Sequence, residues 1–345
     1  MKKISTLIFG STGYIGTQLV KLLIKHKYVN IKYLCGNTSV GKKLKNIDKS
    51  IKTKLPVIKK FNRKLLKDVD VVFTALPNGD SQKISKKLYD HNILIDLSAD
   101  FRIKNPIIYK KWYKIEHSAK SNIKKSIYSI PELTKKKVKK YKIISCPGCY
   151  PTSILLPLIP LIKNKLVKQR NIIIDSKSGY SGAGKSVHKK YKNKNLYESL
   201  SVYGIANHRH NPEIQQGFKS HTNKLVSFTF TPHLTPMFRG ILTNIYLDLP
   251  QNSSINKIVT CLNKTYKEDN FIKVMKPNKL ISTNDVINTN NCLISVNKSK
   301  NVNKIIIVCA IDNLIKGGAG QAIQNLNSYF DYPYKEGLQW NILNF

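Results

Sequence analysis

The segment that decides the fold is Ile4-Ser5-Thr6-Leu7-Ile8-Phe9-Gly10-Ser11-Thr12-Gly13-Tyr14-Ile15-Gly16, near the start of a 345-residue chain. Its first six residues are typical of a buried β-strand, and Thr17–Lys25 carries apolar side chains at helical spacing. Strand, glycine-rich loop and helix in this order predict a dinucleotide-binding turn, because the glycines let a pyrophosphate approach the helix N-terminus closely. The candidate cofactor contacts are the loop residues Gly10, Ser11, Thr12, Gly13, Tyr14, Ile15 and Gly16.

The second predicted strand, Ile31–Cys35, indicates which nucleotide this loop binds. An acidic residue at the end of this strand normally holds the ribose 2′-hydroxyl of NAD, but no Asp or Glu lies between Tyr28 and Asp48. Hydroxyl and lysine side chains stand there instead, including Lys42. Such groups suit a 2′-phosphate, so the sequence favours NADP(H) over NAD and makes Lys42 a candidate contact.

Further strand-like segments extend this pattern through the first 150 residues. They occupy residues 70–77, 93–98 and 142–145. Repeated β-then-helix units predict a doubly wound parallel sheet of the Rossmann type over residues 1–150. Ligands bind at the carboxyl ends of such strands, where Pro77, residues 98–102 and Cys149 fall.

The rest of the chain predicts a second domain of α+β class over residues 151–315. Strand-like segments at 171–175, 225–231, 241–248 and 304–310 are separated by long loops, which favours a mostly antiparallel sheet. Residues 318–328 show helical spacing. We expect this C-terminal part, about 316–345, to pack back on the first domain.

One cysteine stands at a predicted strand-to-helix turn, in Pro147-Gly148-Cys149-Tyr150-Pro151-Thr152. Proline suits the first position of a helix, so Cys149 is predicted to lie just ahead of a helix N-terminus. The helix dipole there favours a negative charge and lowers the pKa of a thiol. We therefore expect Cys149 to be a nucleophile that forms a covalent acyl intermediate.

Cys146 and Cys149 together form a CxxC pattern, which is also found in redox pairs and zinc sites. A zinc site needs a second pair, and no other CxxC occurs in the chain. A redox motif of this kind is not expected downstream of a dinucleotide loop. The pattern favours Cys149 as a nucleophile acting alone, with Cys146 incidental and no metal bound.

Acyl chemistry on a thiol needs a proton donor or acceptor, and the histidines of the segment 208–214 are the candidates. The alternative interpretation of this segment is an exposed basic loop ahead of a helix. His188 and His233 are further candidates. A glycine-rich stretch at 178–185, which includes Gly182, resembles a phosphate loop, but no apolar helical run follows it. It favours a flexible segment lining the cleft.

The composition excludes some classes of function. The net charge is +40, which would suit a nucleic-acid-binding protein, but the lysines are spread over every segment. This spread favours a compositional background, with no nucleic-acid partner. No apolar run approaches the roughly 18 residues of a membrane span. The six irregularly spaced cysteines do not suggest a secreted disulfide framework, so a reducing cytoplasm is expected.

Seven motifs in one order resemble the N-acetyl-γ-glutamyl-phosphate reductase family, which is related to aspartate-semialdehyde dehydrogenase. The resemblance covers essentially the whole chain. The motifs are the glycine loop at 10–16, then DLSADFR (96–102), IPEL (130–133), PGCYPT (147–152), HRHNPEI (208–214), PHLTPMFRG (232–240) and DNLIKGGAGQA (312–322).

The resemblance implies a glyceraldehyde-phosphate-dehydrogenase-like fold and NADPH-dependent reduction of an acyl phosphate to N-acetylglutamate 5-semialdehyde, with release of phosphate, in arginine biosynthesis. It also implies a homo-oligomer, dimer or tetramer, whose ligands are small molecules. Cys149 falls on the family's catalytic cysteine and His210 on its acid/base, with His208 the alternative, and Asn313 lies in a segment near the nicotinamide. Candidate substrate or phosphate contacts are Arg102, His208, Arg209, Arg239 and Lys316.

The chain departs from the family pattern at Cys146, Asn78 and the pair Asn37-Thr38, where the family has Asn, His and an arginine-containing segment. The last departure bears on 2′-phosphate recognition, for which Lys42 could compensate. Two other functions remain open from the sequence. One is a reductase of another acyl phosphate, of the aspartate-semialdehyde dehydrogenase type, and the other is a nucleic-acid-binding protein on a nucleotide fold.

Overall fold

A computed structural model describes residues 3–185, 198–301 and 303–338. The chain divides into two compact units. Unit 1 comprises Met1–Pro147 together with Gly318–Phe345, and unit 2 comprises Gly148–Gly317. The candidate His188 and the residues after 338 lie outside the described residues.

Unit 1 contains a parallel sheet whose seven described strands run in the order β3-β2-β1-β4-β5-β7-β6. Their side chains are largely buried, as expected for parallel strands covered on both faces. The order reverses between β1 and β4, which is where doubly wound sheets bind ligands. The strands are β1 Ile4–Phe9, β2 Val29–Cys35, β3 Ile58–Lys59, β4 Val71–Thr74, β5 Ile93–Asp96, β6 Ser126–Tyr128 and β7 Ile143–Ser145.

Among the helices that connect the strands of unit 1, Pro106–Tyr113 (α3) begins with a side-chain cap. In α3 the Asn105 side chain accepts the N–H groups of Ile107 and Ile108, and Pro106 takes the first helical position. The helices are α1 Tyr14–Ile24, α2 Asp80–Ser85, α3 Pro106–Tyr113, α4 Lys120–Ile123 and α5 Pro131–Thr134. Short 3-10 turns occur at Leu44–Asn46, Arg63–Asp68 and Lys135–Lys140.

Buried polar groups join the carboxyl ends of β4 and β5. The fully buried Asp100 accepts hydrogen bonds from the Gly79 N–H at 2.7 Å and from the Tyr109 hydroxyl at 2.6 Å, which fixes the loop after β4. The Asp96 carboxylate accepts the Thr74 hydroxyl at 2.8 Å, while its other oxygen has no hydrogen-bond partner among the described residues. Burial and the neighbouring Asp100 raise the pKa of Asp96.

Unit 2 contains a mixed sheet of seven described strands in the order β12-β13-β14-β11-β8-β10-β9. Most neighbours are antiparallel, and β8–β10 and β12–β13 are the parallel pairs. The strands are β8 Ile172–Gly179, β9 Ser201–Val202, β10 Phe228–Thr235, β11 Ile241–Asp248, β12 Ile272–Val274, β13 Cys292–Lys298 and β14 Lys304–Ile311.

One face of this sheet packs against helices, which are α6 Cys149–Lys163, α7 Asn211–Thr222 and α8 Ile255–Tyr266. α6 is apolar on all sides and almost wholly buried, as expected of a core helix. Pro160 inside α6 cannot donate to the Leu156 carbonyl, and the Tyr266 hydroxyl supplies a hydrogen bond to that oxygen at 2.6 Å. On the opposite face Ile173 and Tyr246 are exposed.

The C-terminal helix, α9, spans Gly320–Phe330 and follows a π-helical turn at Ile315–Ala319. It packs against α1, α5 and the 3-10 turn Lys135–Lys140 of unit 1. The buried Asn325 and Asn327 side chains fix it there, since Asn325 accepts the Ser129 hydroxyl and Asn327 bonds the His26 ring. Within the described ranges, no helix is both long and apolar enough to cross a bilayer.

We expect Asp96→Asn to increase the free energy of unfolding, and to increase it more at pH 8 than at pH 5. A raised carboxyl pKa contributes stability that is fully present below the unfolded pKa of about 3.9 and is lost as pH rises through the folded pKa. The Asn side chain cannot ionise. The difference in free energy of unfolding between Asp96→Asn and the wild type therefore grows with pH, by about 1.4 kcal/mol for each unit by which the folded pKa of Asp96 exceeds its unfolded pKa.

Urea unfolding of both proteins at pH 5, 6.5 and 8 measures this difference. Asp90→Asn, which removes an exposed carboxylate, is the control. A difference between Asp96→Asn and the wild type that does not change with pH would contradict the prediction.

Candidate active site

Cys149 is the first residue of α6, and Gly148 precedes it as the N-cap in extended backbone. The sequence-based prediction that Pro151 opens this helix is wrong, because Pro151 is its third residue. Proline is tolerated there for the same reason, since the first four N–H groups of a helix have no intrahelical partner. The Cys149 side chain is partly exposed and lies at the positive end of the α6 dipole.

Gly317 lies directly against Cys149. A Cβ atom added to Gly317 would fall 2.7 Å from the Cys149 Cβ, closer than real Cβ atoms approach, and 3.1 Å from its Cα. The Gly317 N–H donates to the Asp312 carbonyl at 2.9 Å, which holds the glycine in place. Only glycine therefore allows the turn after β14 to pack on the cysteine.

Glu213 connects the start of α7 to the start of α6. Its side chain is fully buried, and its Oε1 accepts the Gly148 N–H at 2.7 Å. Its Oε2 lies 4.0 Å from Nε2 of His210. The two helices approach closely because residue 217 is a glycine, whose added Cβ would lie 2.4 Å from a Leu155 methyl. One carboxylate thus reaches the backbone beside the cysteine and faces a histidine.

The two histidines of segment 208–214 are buried, so the alternative interpretation of this segment as an exposed loop is wrong for them. Their rings pack edge-on against Tyr150, with centroids 5.6 Å away for His208 and 5.9 Å for His210. The His208 Nδ1 accepts the His210 N–H at 3.1 Å. Burial and Arg209 lower the pKa of His208 to about 4, whereas Arg209 itself is exposed.

Tyr150, next to the cysteine, is anchored by hydrogen bonds. Its hydroxyl donates to the His233 carbonyl at 3.1 Å and accepts the Tyr203 hydroxyl at 3.2 Å. Burial raises its pKa. The His233 ring instead faces Asp175, with its Nδ1 3.1 Å from a carboxylate oxygen. His233 therefore contributes its backbone, rather than its imidazole, to the surroundings of Cys149.

Asn313 ties together the two loops beside the turn after β14. Its side chain accepts the Gly240 N–H at 2.7 Å and donates to the Ser181 hydroxyl at 2.9 Å. A Cβ on Gly182 would lie 3.6 Å from the Asn313 amide nitrogen, so this predicted cofactor residue is its neighbour.

Two predicted cationic contacts are enclosed by protein. Arg239 donates from Nη1 to Asn288 and to Asp312, the latter at 3.3 Å, and Lys316 is fully buried.

The glycine loop of unit 1 has the geometry of a phosphate-binding turn. Gly10 has a φ of 74°, and a Cβ there would fall 2.2 Å from the Ala75 carbonyl oxygen after β4. The Gly13 N–H closes the turn on the Gly10 carbonyl at 3.0 Å, and α1 follows directly. The Ser11 hydroxyl is buried without a hydrogen-bond partner among the described residues. A tight turn, an orphaned hydroxyl and a helix N-terminus fit a dinucleotide pyrophosphate.

The other predicted residues of unit 1 differ in accessibility. Lys42 and Pro77 are exposed, whereas Arg102 is buried and donates to the carbonyls of Cys146 at 2.9 Å and Leu97 at 3.1 Å. Burial raises the pKa of Cys146 to about 12, so this thiol is protonated at neutral pH. No cluster of three His, Cys, Asp or Glu side chains suited to a metal occurs among the described residues.

Comparison with known proteins identifies the family. The model "Semialdehyde dehydrogenase, NAD binding domain" matches residues 5–141, and "Semialdehyde dehydrogenase, dimerisation domain" matches residues 149–313. The N-acetyl-gamma-glutamyl-phosphate reductase of Ehrlichia canis is 41% identical over 97% of both chains. That of Clostridium botulinum (strain Eklund 17B / Type B) is 41% identical over 96% of both chains. The chain belongs to the N-acetyl-gamma-glutamyl-phosphate reductase family.

Solved structures of the semialdehyde dehydrogenase fold agree with this assignment at the level of fold. Aspartate semialdehyde dehydrogenase II from Vibrio cholerae, complexed with ASA, superposes with a TM-score of 0.72 at 15% identity, covering 96% of this chain and 99% of that one. The Candida albicans enzyme, solved with NADP, gives a TM-score of 0.70 at 16% identity, with the same coverage. The family resemblance and the fold class predicted from the sequence are confirmed, and the chain is an NAD(P)-dependent oxidoreductase.

Two residues of this site received no role from the sequence, Glu213 and Asp312. Each belongs to a motif that the resemblance to the reductase family singled out. A glutamate in the first turn of a helix is common, because its negative charge interacts favourably with the positive end of the helix dipole. Such a glutamate is usually exposed, and its sequence context looks the same as that of Glu213, which is fully buried against a second helix. The signal available was its spacing of three from His210, which places the two side chains on one face of a helix.

We expect Gly317→Ala to slow alkylation of Cys149 by iodoacetamide, because the added methyl displaces the cysteine or the turn that covers it. A displacement near 1 Å can cost about 10²-fold in a reaction that depends on position. Mass spectrometry of the Cys149 peptide measures the rate separately from the other partly exposed thiol, Cys261.

Gly41→Ala is the control for this variant. It also replaces a glycine, at a positive φ of 82°, but its added Cβ meets nothing within 4 Å. It should lower stability without affecting the Cys149 alkylation rate. Equal rates for Gly317→Ala and the wild type would show that the close contact is unimportant.

Proposed function

We propose that this protein reduces N-acetyl-L-glutamyl 5-phosphate with NADPH, releasing phosphate and forming N-acetyl-L-glutamate 5-semialdehyde in arginine biosynthesis. The observation that carries the proposal is the placement of Cys149 at the N-terminus of α6, beside a buried Glu213–His210 pair. The names of relatives that match nearly the full chain support this substrate.

The first step is attack of the Cys149 thiolate on the acyl carbon. The new C–S bond gives a tetrahedral oxyanion, which collapses to a thioester as the C–O bond to phosphate breaks. Backbone N–H groups at the start of α6 point towards the negative charge that develops there and stabilise it. Phosphate leaves as an anion, so this step needs no strong acid for the leaving group.

The second step reduces the thioester. The reduced nicotinamide, when bound, supplies the hydride. His210 donates a proton to the oxyanion of the reduced thioester, which gives a thiohemiacetal, and takes that proton back as the C–S bond breaks to release aldehyde and the Cys149 thiolate. His208 suits this role poorly, because its pKa of about 4 leaves it without a proton to donate near neutral pH. The Glu213 Oε2 lies 4.0 Å from the His210 Nε2, so a buried carboxylate faces the ring to which we assign the proton transfer.

We propose NADP(H) as the cofactor and the glycine loop at 10–16 as its pyrophosphate site. The orphaned Ser11 hydroxyl and the absence of an acidic residue after β2 support this choice. Lys42 is exposed after β2, where it could meet a 2′-phosphate. We assign Pro77, Gly182 and Asn313 to the surroundings of the nucleotide. The Asn313 side chain bonds Gly240 and Ser181, so we assign it to shaping these two loops.

Among the proposed substrate contacts, Arg209 is the cation that is exposed beside the histidines, and we assign the anionic substrate to it. Arg102 donates to backbone carbonyls and Arg239 to the side chains of Asn288 and Asp312, so we assign both to holding the protein in place. Lys316 belongs to the π-helical turn Ile315–Ala319 and is fully buried, so we assign it to the support of that turn.

We also propose a homo-oligomer in the cytoplasm. The exposed face of the unit 2 sheet carries apolar side chains such as Ile173 and Tyr246, as an interface does. The family model that matches this unit is described as a dimerisation domain. The six cysteines are irregularly spaced, which does not suggest a secreted disulfide framework and supports a reducing compartment.

We expect Cys149→Ser to abolish phosphate-dependent reduction of NADP by the semialdehyde, with a loss of several orders of magnitude, because a serine hydroxyl is a far weaker nucleophile. Cys146→Ser should retain most activity. The assay follows NADPH formation with N-acetylglutamate semialdehyde and with aspartate semialdehyde offered separately.

Each outcome of this assay decides one point. Preference for aspartate semialdehyde would replace the proposed substrate with that of the solved structural neighbours. Loss of activity in Cys146→Ser, with Cys149→Ser active, would refute the assigned nucleophile.

We expect His210→Asn to lower kcat by about 10² to 10⁴-fold, the usual contribution of a general acid or base. His208→Asn should leave the shape of the pH–rate profile between pH 6 and 8 unchanged, because His208 with a pKa of about 4 does not titrate there. Profiles of kcat against pH for both variants measure the difference. A His210→Asn profile that matches the wild type would assign the proton transfer elsewhere.

A further inference from the structure

We propose that Asp312 is a positioning residue for Cys149, acting through the turn that places Gly317 against the cysteine. This inference rests on the proposed function only in taking Cys149 as the reacting group. Asp312 follows β14 directly, and its carboxylate is fully buried.

One oxygen of the Asp312 carboxylate shapes the turn after β14. Oδ1 accepts the N–H groups of Leu314 at 2.8 Å and Ile315 at 3.2 Å. The carbonyl of the same residue accepts the Gly317 N–H at 2.9 Å. Three backbone donors of the turn therefore converge on one residue, and the last belongs to the glycine that contacts Cys149.

The other oxygen fixes Asp312 itself. Oδ2 accepts the Asn288 N–H at 2.8 Å and lies 3.3 Å from Nη1 of Arg239. Arg239 also donates to the Asn288 side chain, so the three residues form a closed group. Burial raises the pKa of Asp312, and the Arg239 guanidinium opposes this shift by compensating the charge.

The requirement is for a carboxylate, rather than for any hydrogen-bonding side chain. Four N–H donors point at the two oxygens, and an amide offers one oxygen and one NH₂ group. Asp312→Asn keeps the size of the side chain but sets an NH₂ group against N–H donors on one side. Either the turn or the Arg239–Asn288 group then loses its acceptor, and the Gly317–Cys149 contact loosens.

Asp269 provides a matched control within the same unit. Its Oδ1 accepts the N–H groups of Phe271 at 2.9 Å and Ile272 at 3.2 Å, which is the same turn geometry. This turn precedes β12, which is an edge strand of the unit 2 sheet, whereas the Asp312 turn follows β14 and contacts Cys149 through Gly317. Asp269→Asn therefore tests the loss of such a turn without affecting the cysteine.

The experiment measures the pH profile of Cys149 alkylation by iodoacetamide, with kcat and KM for semialdehyde and NADP, in Asp312→Asn, Arg239→Lys and Asp269→Asn. We expect Asp312→Asn to slow alkylation and lower kcat by about 10 to 10²-fold, with KM for NADP changed less than twofold. Arg239→Lys keeps the positive charge but loses the planar guanidinium with its several N–H donors. It should therefore lower the alkylation rate and kcat as well, but by less than Asp312→Asn does. Asp269→Asn should match the wild type.

The double variant Gly317→Ala/Asp312→Asn tests whether Asp312 acts through the contact between Gly317 and Cys149. If both variants displace the same contact, their combined loss in alkylation rate is smaller than the product of the two single losses. A combined loss equal to the product, or a wild-type profile in Asp312→Asn, would overturn the proposal.

If Asp312→Asn does not fold, as judged by its circular dichroism, the Arg239→Lys alkylation profile is the deciding measurement. Slower alkylation than in the wild type supports the proposal, and a wild-type profile overturns it. Because alkylation needs no substrate, a wrong substrate assignment would leave this test intact. A different nucleophile would be revealed independently by an active Cys149→Ser variant.

Discussion

The hydrogen bond from the Gly148 N–H to the buried Glu213 carboxylate is the interaction on which the cysteine site depends. Burying a carboxylate is costly unless its oxygens find donors, so this contact is made only if the two helix starts lie together. Gly217 permits the approach, since any larger residue would meet Leu155. The position of Cys149, the first residue of α6, follows from this pairing.

The same packing gives different surroundings to two histidines whose ring centroids lie 4.7 Å apart. His208 is enclosed by the rings of Tyr150, Tyr203 and Phe230, and the loss of water lowers its pKa. His210 faces a carboxylate instead. Burial disfavours the charged form of an imidazole, which is the effect at His208. We propose His210 for proton transfer because it is the ring that faces a carboxylate.

Much of the fold could be predicted from the sequence because its signals are local. The glycine loop after β1, the strand ends and the cysteine at a helix start each depend on a few adjacent residues. The burial of His208 and His210 could not be predicted, because it depends on β10 and on Tyr150, which are distant in the chain. Glu213 was missed for the same reason, since its partner Gly148 lies 65 residues away in the chain. Asp312 bonds its own turn, and only the tertiary contact of Gly317 with Cys149 connects that turn to the site. The position of Pro151 was misjudged by two residues, within the usual uncertainty of a helix boundary.

The scarcity of acids makes their placement informative. The chain has 19 Asp and Glu against 59 Lys and Arg, so most cations have no acidic partner, and exposed pairs such as Lys110–Glu116 contribute about 0–1 kcal/mol each. A diffuse positive field can speed the encounter with anionic ligands, but it decays within about 10 Å in salt and cannot orient a side chain. Orientation requires short, directional contacts in places without water. Among the described residues of unit 2, the buried acids are Glu213 and Asp312. Glu213 holds the backbone before Cys149, and Asp312 holds the turn that contacts the cysteine. The basic surface therefore affects how ligands reach the site, whereas the two buried carboxylates fix the position of the thiol.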